Sequence, residues 1–109
     1  MIYELRVYTC PQDKFQAELD RYEKHVLPIW EKWGIRLVGG WTVLVGGPNL
    51  LDQYSLLAWE SLAERERIWE AFRACPEWLA ARNETERDGP LVTNMRNTLL
   101  TPTRFSPLQ

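Results

Sequence analysis

The sequence predicts an α+β domain of the split βαβ kind, with ferredoxin-like order βαββαβ and one four-stranded antiparallel sheet whose helices lie on one face. Three observations carry this expectation. The opening residues alternate apolar and polar side chains, two later stretches repeat apolar residues at helical spacing, and a β-branched stretch broken by Gly and Pro separates those two.

Each element follows from its local pattern. In 2–9, Tyr3, Leu5 and Val7 fall on one side and Glu4, Arg6 and Tyr8 on the other, the period of a half-covered strand. From Phe15 the residues Leu19, Tyr22, Val26, Ile29, Trp30 and Trp33 recur at helical spacing until Gly34 stops them. Pro28 lies inside this helix and lacks an N–H, so a kink between Lys24 and Pro28, or a break into two helices, is expected. Residues 35–45 and 54–60 read as two strands of a hairpin joined through Gly46-Gly47-Pro48-Asn49. Ser61 with Glu64 three residues on is a capping box, opening a helix to about Ala74, and Pro76 begins a further short helical stretch through Leu79. Asp88-Gly89-Pro90 marks a turn before a last strand over 91–100, and the tail is irregular from about 103.

At 109 residues the chain fits one domain, 1–109, which buries roughly two-thirds of its unfolded surface and has room for a single core. Six tryptophans must find a core, a pocket or an interface. The net charge is −2, with Lys and Arg alternating with Glu and Asp, which argues against nucleic acid as a partner. Cys10 and Cys75 read as reduced thiols, and Cys10, beside Pro11, is expected to be accessible. One His completes no zinc set with them, so no metal and no cofactor is expected. The apolar runs are too short to span a bilayer and no leader pattern stands at the start, so the expectation is a cytoplasmic protein with no membrane partner.

Helices on one side leave the opposite sheet face to water, yet the hairpin strands are apolar in both registers: Leu37, Trp41, Val43 and Val45 against Val38 and Leu44, and Tyr54, Leu56 and Ala58 against Leu57 and Trp59. The simplest cover is a second copy in a C2 homodimer; the alternatives are an ordinary surface patch or the C-terminal tail.

Several segments resemble the NIPSNAP family: Met1-Ile2-Tyr3-Glu4-Leu5-Arg6-Val7-Tyr8-Thr9, His25-Val26-Leu27-Pro28-Ile29-Trp30, Gly39-Gly40-Trp41-Thr42, Pro76-Glu77-Trp78 and Leu99-Leu100-Thr101-Pro102. The resemblance implies a dimeric α/β barrel, two ferredoxin-like subunits packed sheet to sheet around a cavity. It implies little about activity, because the wider superfamily holds cofactor-free monooxygenases, haem-degrading enzymes and simple binding proteins. Two positions depart from the family pattern: Trp33 stands where relatives often carry His, and Cys75 where they often carry Asp.

The candidate ligand-binding residues are Glu4, Arg6, Tyr8, Trp41, Trp59 and Arg96. The first strand's polar register, with Asn94, Arg96 and Thr98 of the last strand, is expected on the helix-free face, where an arginine would anchor a carboxylate or enolate and Tyr8 donate a hydrogen bond. The plainer role for Glu4 is an ion pair with Arg6 or Arg96. Trp41 and Trp59 would wall a flat ligand, or else pack the core. His25, on the flank of the helical stripe, and Tyr8 are the catalytic candidates, a solvated or capping role being the plainer one for His25. The resulting expectation is a homodimer binding a small aromatic or acidic molecule in its barrel and carrying out cofactor-free oxidation or proton transfer on it. Its rival is a non-catalytic interaction module that uses the apolar face for assembly alone.

Overall fold

The alternating opening segment becomes strand β1, Ile2–Thr9, in a computed structural model that describes residues 1–109. Pro11 caps a short 3-10 turn, and helices α1 (Phe15–Arg21) and α2 (Leu27–Trp33) follow, joined by a π-helical segment, Tyr22–Val26. This segment is the form the expected kink takes. Pro28 has no N–H for the Lys24 carbonyl, and the chain widens by one residue ahead of it, so that Leu27 N–H reaches back to the Tyr22 carbonyl. Gly34 ends α2 at φ +79°, left-handed backbone that suits glycine.

Strands β2 (Arg36–Thr42) and β3 (Asp52–Trp59) form the hairpin. A bulge at Val38 shifts register between Leu37 and Gly39. In helix α3 (Leu62–Ala74), Ser61 Oγ accepts from Glu64 N–H at 3.1 Å while Glu64 Oε2 accepts from Glu60 N–H. Helix α4 starts at Pro76, where the Cys75 thiol accepts from Trp78 N–H at 3.4 Å, and it runs past Leu79 to Thr85 because 80–84 are mostly good helix formers and Ala81 packs inward. Strand β4 is Asn94–Leu100, shorter than expected: Thr93 instead bonds the Thr9 carbonyl through both N–H and hydroxyl.

The strand order is β2-β3-β1-β4 and every pairing is antiparallel, the ferredoxin-like arrangement. Side chains of directly paired residues share a face. Glu4, Arg6, Tyr8, Ser55, Leu57, Trp59, Met95 and Asn97 therefore point toward the helices, and Tyr3, Leu5, Val7, Tyr54, Leu56, Arg96, Thr98 and Trp41 point away. The core between sheet and helices is aromatic: Tyr22, Trp30, Trp59, Trp69 and Phe72 are buried and their rings meet at 5.1–6.3 Å. The molecule measures 45 × 36 × 18 Å, its thin direction holding one layer of helix and one of sheet. No helix is long and apolar enough to cross a membrane.

The tail crosses one corner of the helix-free face. Tyr3 donates its hydroxyl proton to the Gln109 carbonyl at 3.2 Å, and Leu56, Leu100 and Leu108 lie beside it.

Candidate small-molecule site

The polar register of β1 faces the helices, which corrects the expectation that it faces away from them. The reason is Glu4. Its carboxylate, 0% exposed, accepts six hydrogen bonds: from Arg65 Nε and Nη2 at 2.8 and 3.0 Å, Arg6 Nη1 at 2.7 Å, Trp59 Nε1 at 3.0 Å, Trp69 Nε1 at 3.2 Å and Asn97 Nδ2 at 3.1 Å. Burial by itself would raise this carboxyl; the Arg65, Asn97 and Trp69 bonds and the Arg6 charge outweigh it and hold the group at about 2. A carboxylate so fully engaged is a structural hub with no lone pair left for a ligand.

Beside this hub a cavity of about 420 Å³ opens between the sheet and the helices. Arg6, Tyr8 and Met95 form its floor; Glu18, Arg21, Tyr22 and Trp30 come from the first helical arm, Phe72 and Arg73 from α3, and Trp78, Arg82 and Glu86 from α4 and its end. Arg6 is oriented on all sides: Nη1 on Glu4, Nε donating to the Tyr8 hydroxyl at 2.8 Å, and the guanidinium stacked 4.6 Å from the Trp69 ring. Because the Tyr8 oxygen accepts from Arg6, its own proton is free to donate. Burial raises the Tyr8 pKa despite the neighbouring guanidinium, so the phenol keeps that proton at neutral pH.

The opposite wall holds a second charged cluster. Arg21 donates to Glu18 Oε1 at 3.1 Å and to Glu86 Oε2 at 2.7 Å, and lies 5.2 Å from the Trp78 ring. Glu18 is buried, and burial lifts its carboxyl to about 7 against the pull of Arg21, the Glu86 charge adding to the rise. At the exposed rim Arg73 makes no ion pair. Four arginines thus meet two carboxylates around an aromatic hollow, an excess of positive charge that suits an acidic ligand.

A second cavity, of about 340 Å³, lies on the far side of Tyr22 and is lined by Leu19, Leu27, Leu37 and Gln53 among others. Tyr22 faces both hollows and is pinned between them by its hydroxyl, 3.0 Å from Ser55 Oγ.

The sequence candidates are dispersed more than expected. Arg6 and Tyr8 meet in the larger cavity and Glu4 braces them. Trp59 is core, 1% exposed and bonded to Glu4, while Trp41 stands on the other side of the sheet at 55% exposure, so the two tryptophans do not share a wall. Arg96 is also on the helix-free side, where it pairs with Asp52 at 3.2 Å and not with Glu4; Thr9 bonds the other Asp52 oxygen. His25 is half-buried in the π-helical segment and lines neither of these two cavities. Cys10 is buried, contrary to the reading of it as accessible, and burial pushes its thiol up to about 11. Glu18, Arg21, Trp30 and Arg73 were missed. Glu18 carried a signal: it precedes Tyr22 by four residues, a carboxylate on the helix's own buried stripe.

The fold and the arginine-lined hollow define an α+β ferredoxin-like protein with a built cavity under its helices. The chain belongs to the NIPSNAP family, whose family model matches residues 3–107. Similar solved structures include a NIPSNAP family protein of unknown function from Agrobacterium tumefaciens, 28% identical with TM-score 0.86 over 100% of this chain and 94% of that one. An uncharacterized NIPSNAP domain protein from Burkholderia xenovorans is 26% identical with TM-score 0.84, over 98% and 99% of the two chains. A putative antibiotic biosynthesis monooxygenase from Nitrosomonas europaea shares the fold alone, at 10% identity, TM-score 0.64 and coverage of 94% and 98%. No curated protein matches the chain.

Proposed function

We propose that the chain acts as a homodimer whose subunits each bind a small acidic, partly aromatic molecule in the cavity between helices and sheet, with proton transfer or cofactor-free oxidation as the chemistry. The site lies within each subunit, not inside a barrel between two. The observation that carries this reading is the convergence of Arg6, Tyr8, Arg21 and Arg73 on one aromatic-walled hollow of about 420 Å³. A purely structural module would fill that space with side chains, as protein interiors do. Pairing is supported by the helix-free face: Trp41 is 55% exposed there, apart from the corner at Tyr3, Leu56 and Leu100 that the tail crosses. Apolar surface of this kind suits a sheet-to-sheet contact between identical subunits.

Calorimetric titration with phenylacetate, a small aromatic acid, tests the binding claim. Arg73→Ala removes a rim cation that supports no other side chain, and Tyr8→Phe removes one donor; each weakens binding on the order of tenfold. Lys24→Ala, exposed and not part of the cavity wall, leaves it unchanged. Absence of binding to the native chain, or equal affinity in all four proteins, removes the cavity from the function.

A further inference from the structure

The second cavity carries two features that the packing around it does not require. Gly40 faces the helices from the edge strand β2, opposite Ser55, in backbone that is not left-handed. A Cβ at Gly40 would come no closer than 3.7 Å to its nearest neighbour, the Tyr54 carbonyl oxygen, so the glycine answers no steric demand and its missing side chain leaves the hollow open. Beside it on β3 stands Gln53, which also faces the helices and is 6% exposed. Its Oε1 is buried without a donor, and the side-chain amide N–H bonds of the protein come from Gln16, Asn97 and Gln109, none from Gln53. A buried carboxamide that makes no hydrogen bond is rare, because its desolvation goes uncompensated.

We propose that this cavity is a binding site for a small neutral molecule that carries a primary or cyclic amide on an apolar ring. A carboxamide sets an acceptor and a donor side by side, and its complement is another amide whose N–H and C=O lie on the same side, the N–H donating to Gln53 Oε1 and the C=O accepting from Nε2. The terminal torsion of glutamine is soft, so the group turns both atoms to such a partner at little cost. Leu19 and Leu27 from the helical arm and Leu37 from β2 supply an apolar wall for the ring, next to the gap at Gly40. The volume of about 340 Å³ is that of a small-molecule site. The charged residue of the wall is Glu23, so the site offers no cation to a carboxylate, unlike the cavity that holds Arg6 and Arg73. The two cavities select different chemistry, and this site does not depend on the acidic ligand of the other.

The test titrates the native chain with benzamide and with acetophenone, which keeps the ring and the carbonyl but has a methyl group in place of the NH2, and follows the side-chain amide signals of Gln53 by NMR. Benzamide shifts those signals and binds about tenfold or more tightly than acetophenone. Arg73→Ala leaves benzamide affinity unchanged, which separates this site from the first cavity. Gln53→Met loses the preference for benzamide while the melting temperature holds or rises, since an apolar chain replaces an unbonded amide. Gly40→Val fills the hollow with a residue suited to a strand and weakens benzamide binding about tenfold or more. The proposal is overturned by no binding of benzamide, by equal affinity for the two probes, by benzamide affinity that falls in Arg73→Ala, or by affinity undiminished in Gln53→Met or in a folded Gly40→Val. A lower melting temperature in Gln53→Met overturns it too, because the amide would then be a structural group. Should Gly40→Val fail to fold, the preference of the native chain and its loss in Gln53→Met decide.

Discussion

The carboxylate of Glu4 and the guanidinium of Arg65 meet side by side, Nε on Oε1 at 2.8 Å and Nη2 on Oε2 at 3.0 Å, tying the first strand to α3. This pair and the four further donors on Glu4 fix the register in which β1 presents Arg6 and Tyr8 to the cavity, so the hub is a positioning element for the site.

Glu4→Gln removes the charge that two guanidinium groups face and turns one of the two acceptor oxygens, each receiving three bonds, into a donor NH2. Glu4→Gln is expected to cost about 3–5 kcal/mol, the usual penalty for breaking a buried ion pair from one side. Urea denaturation measures it. Arg96→Ala, whose partner Asp52 keeps its bond from Thr9, is expected to cost clearly less.

The two buried carboxylates have opposite linkage to pH. Glu4 titrates at about 2 when folded, below its ordinary 4.5, so its contribution is present above 4.5 and is lost as pH falls toward 2. Glu18 titrates at about 7 when folded: the native state holds a proton that the unfolded chain releases, so stability is greatest below 4.5 and declines as pH rises to about 7. Together they place the maximum near pH 4.5–5. Melting temperature against pH should fall on both sides of it, and Glu18→Gln should flatten the neutral side alone.

Tyr22→Phe is expected to cost about 1–3 kcal/mol, because the buried Ser55 hydroxyl loses its partner. Adding Ser55→Ala should restore part of the loss. Strict additivity of the two changes in a double-mutant cycle would show that the bond between the cavities is energetically idle.

Gly34→Ala is expected to cost about 1 kcal/mol, measured by thermal melting. Its added methyl meets nothing within 4 Å, so the cost arises from the left-handed backbone at φ +79°. An unchanged melting point would mean the helix end rearranges.

Trp41→Glu places a charge on the exposed helix-free face and should shift the sedimentation mass from dimer toward monomer at micromolar concentration. A native chain that sediments as a monomer contradicts the proposed pairing, while phenylacetate binding, a property of one subunit, can survive it.

Most of the fold was legible because its signals are local. Ser61 with Glu64, Gly34 after an apolar stripe, and the alternation of 2–9 each report the backbone beside them, and each lies where expected. Reading failed where a single residue inserted into the pattern. The bulge at Val38 reverses every later side chain of β2, turning Trp41 away from the helices while Leu37 faces them.

The sequence by itself determined the βαββαβ order, the antiparallel sheet with its helices on one side, and the family. The tertiary structure alone decided which face of β1 those helices take. Alternation says that Tyr3, Leu5 and Val7 oppose Glu4, Arg6 and Tyr8, but hydrophobicity favours the first set inward. The second set goes inward because Arg65, Trp69, Trp59 and Asn97, distant in sequence, converge to satisfy one carboxylate. A buried charge is stable only when several partners meet it at once, and only the folded chain brings those partners together.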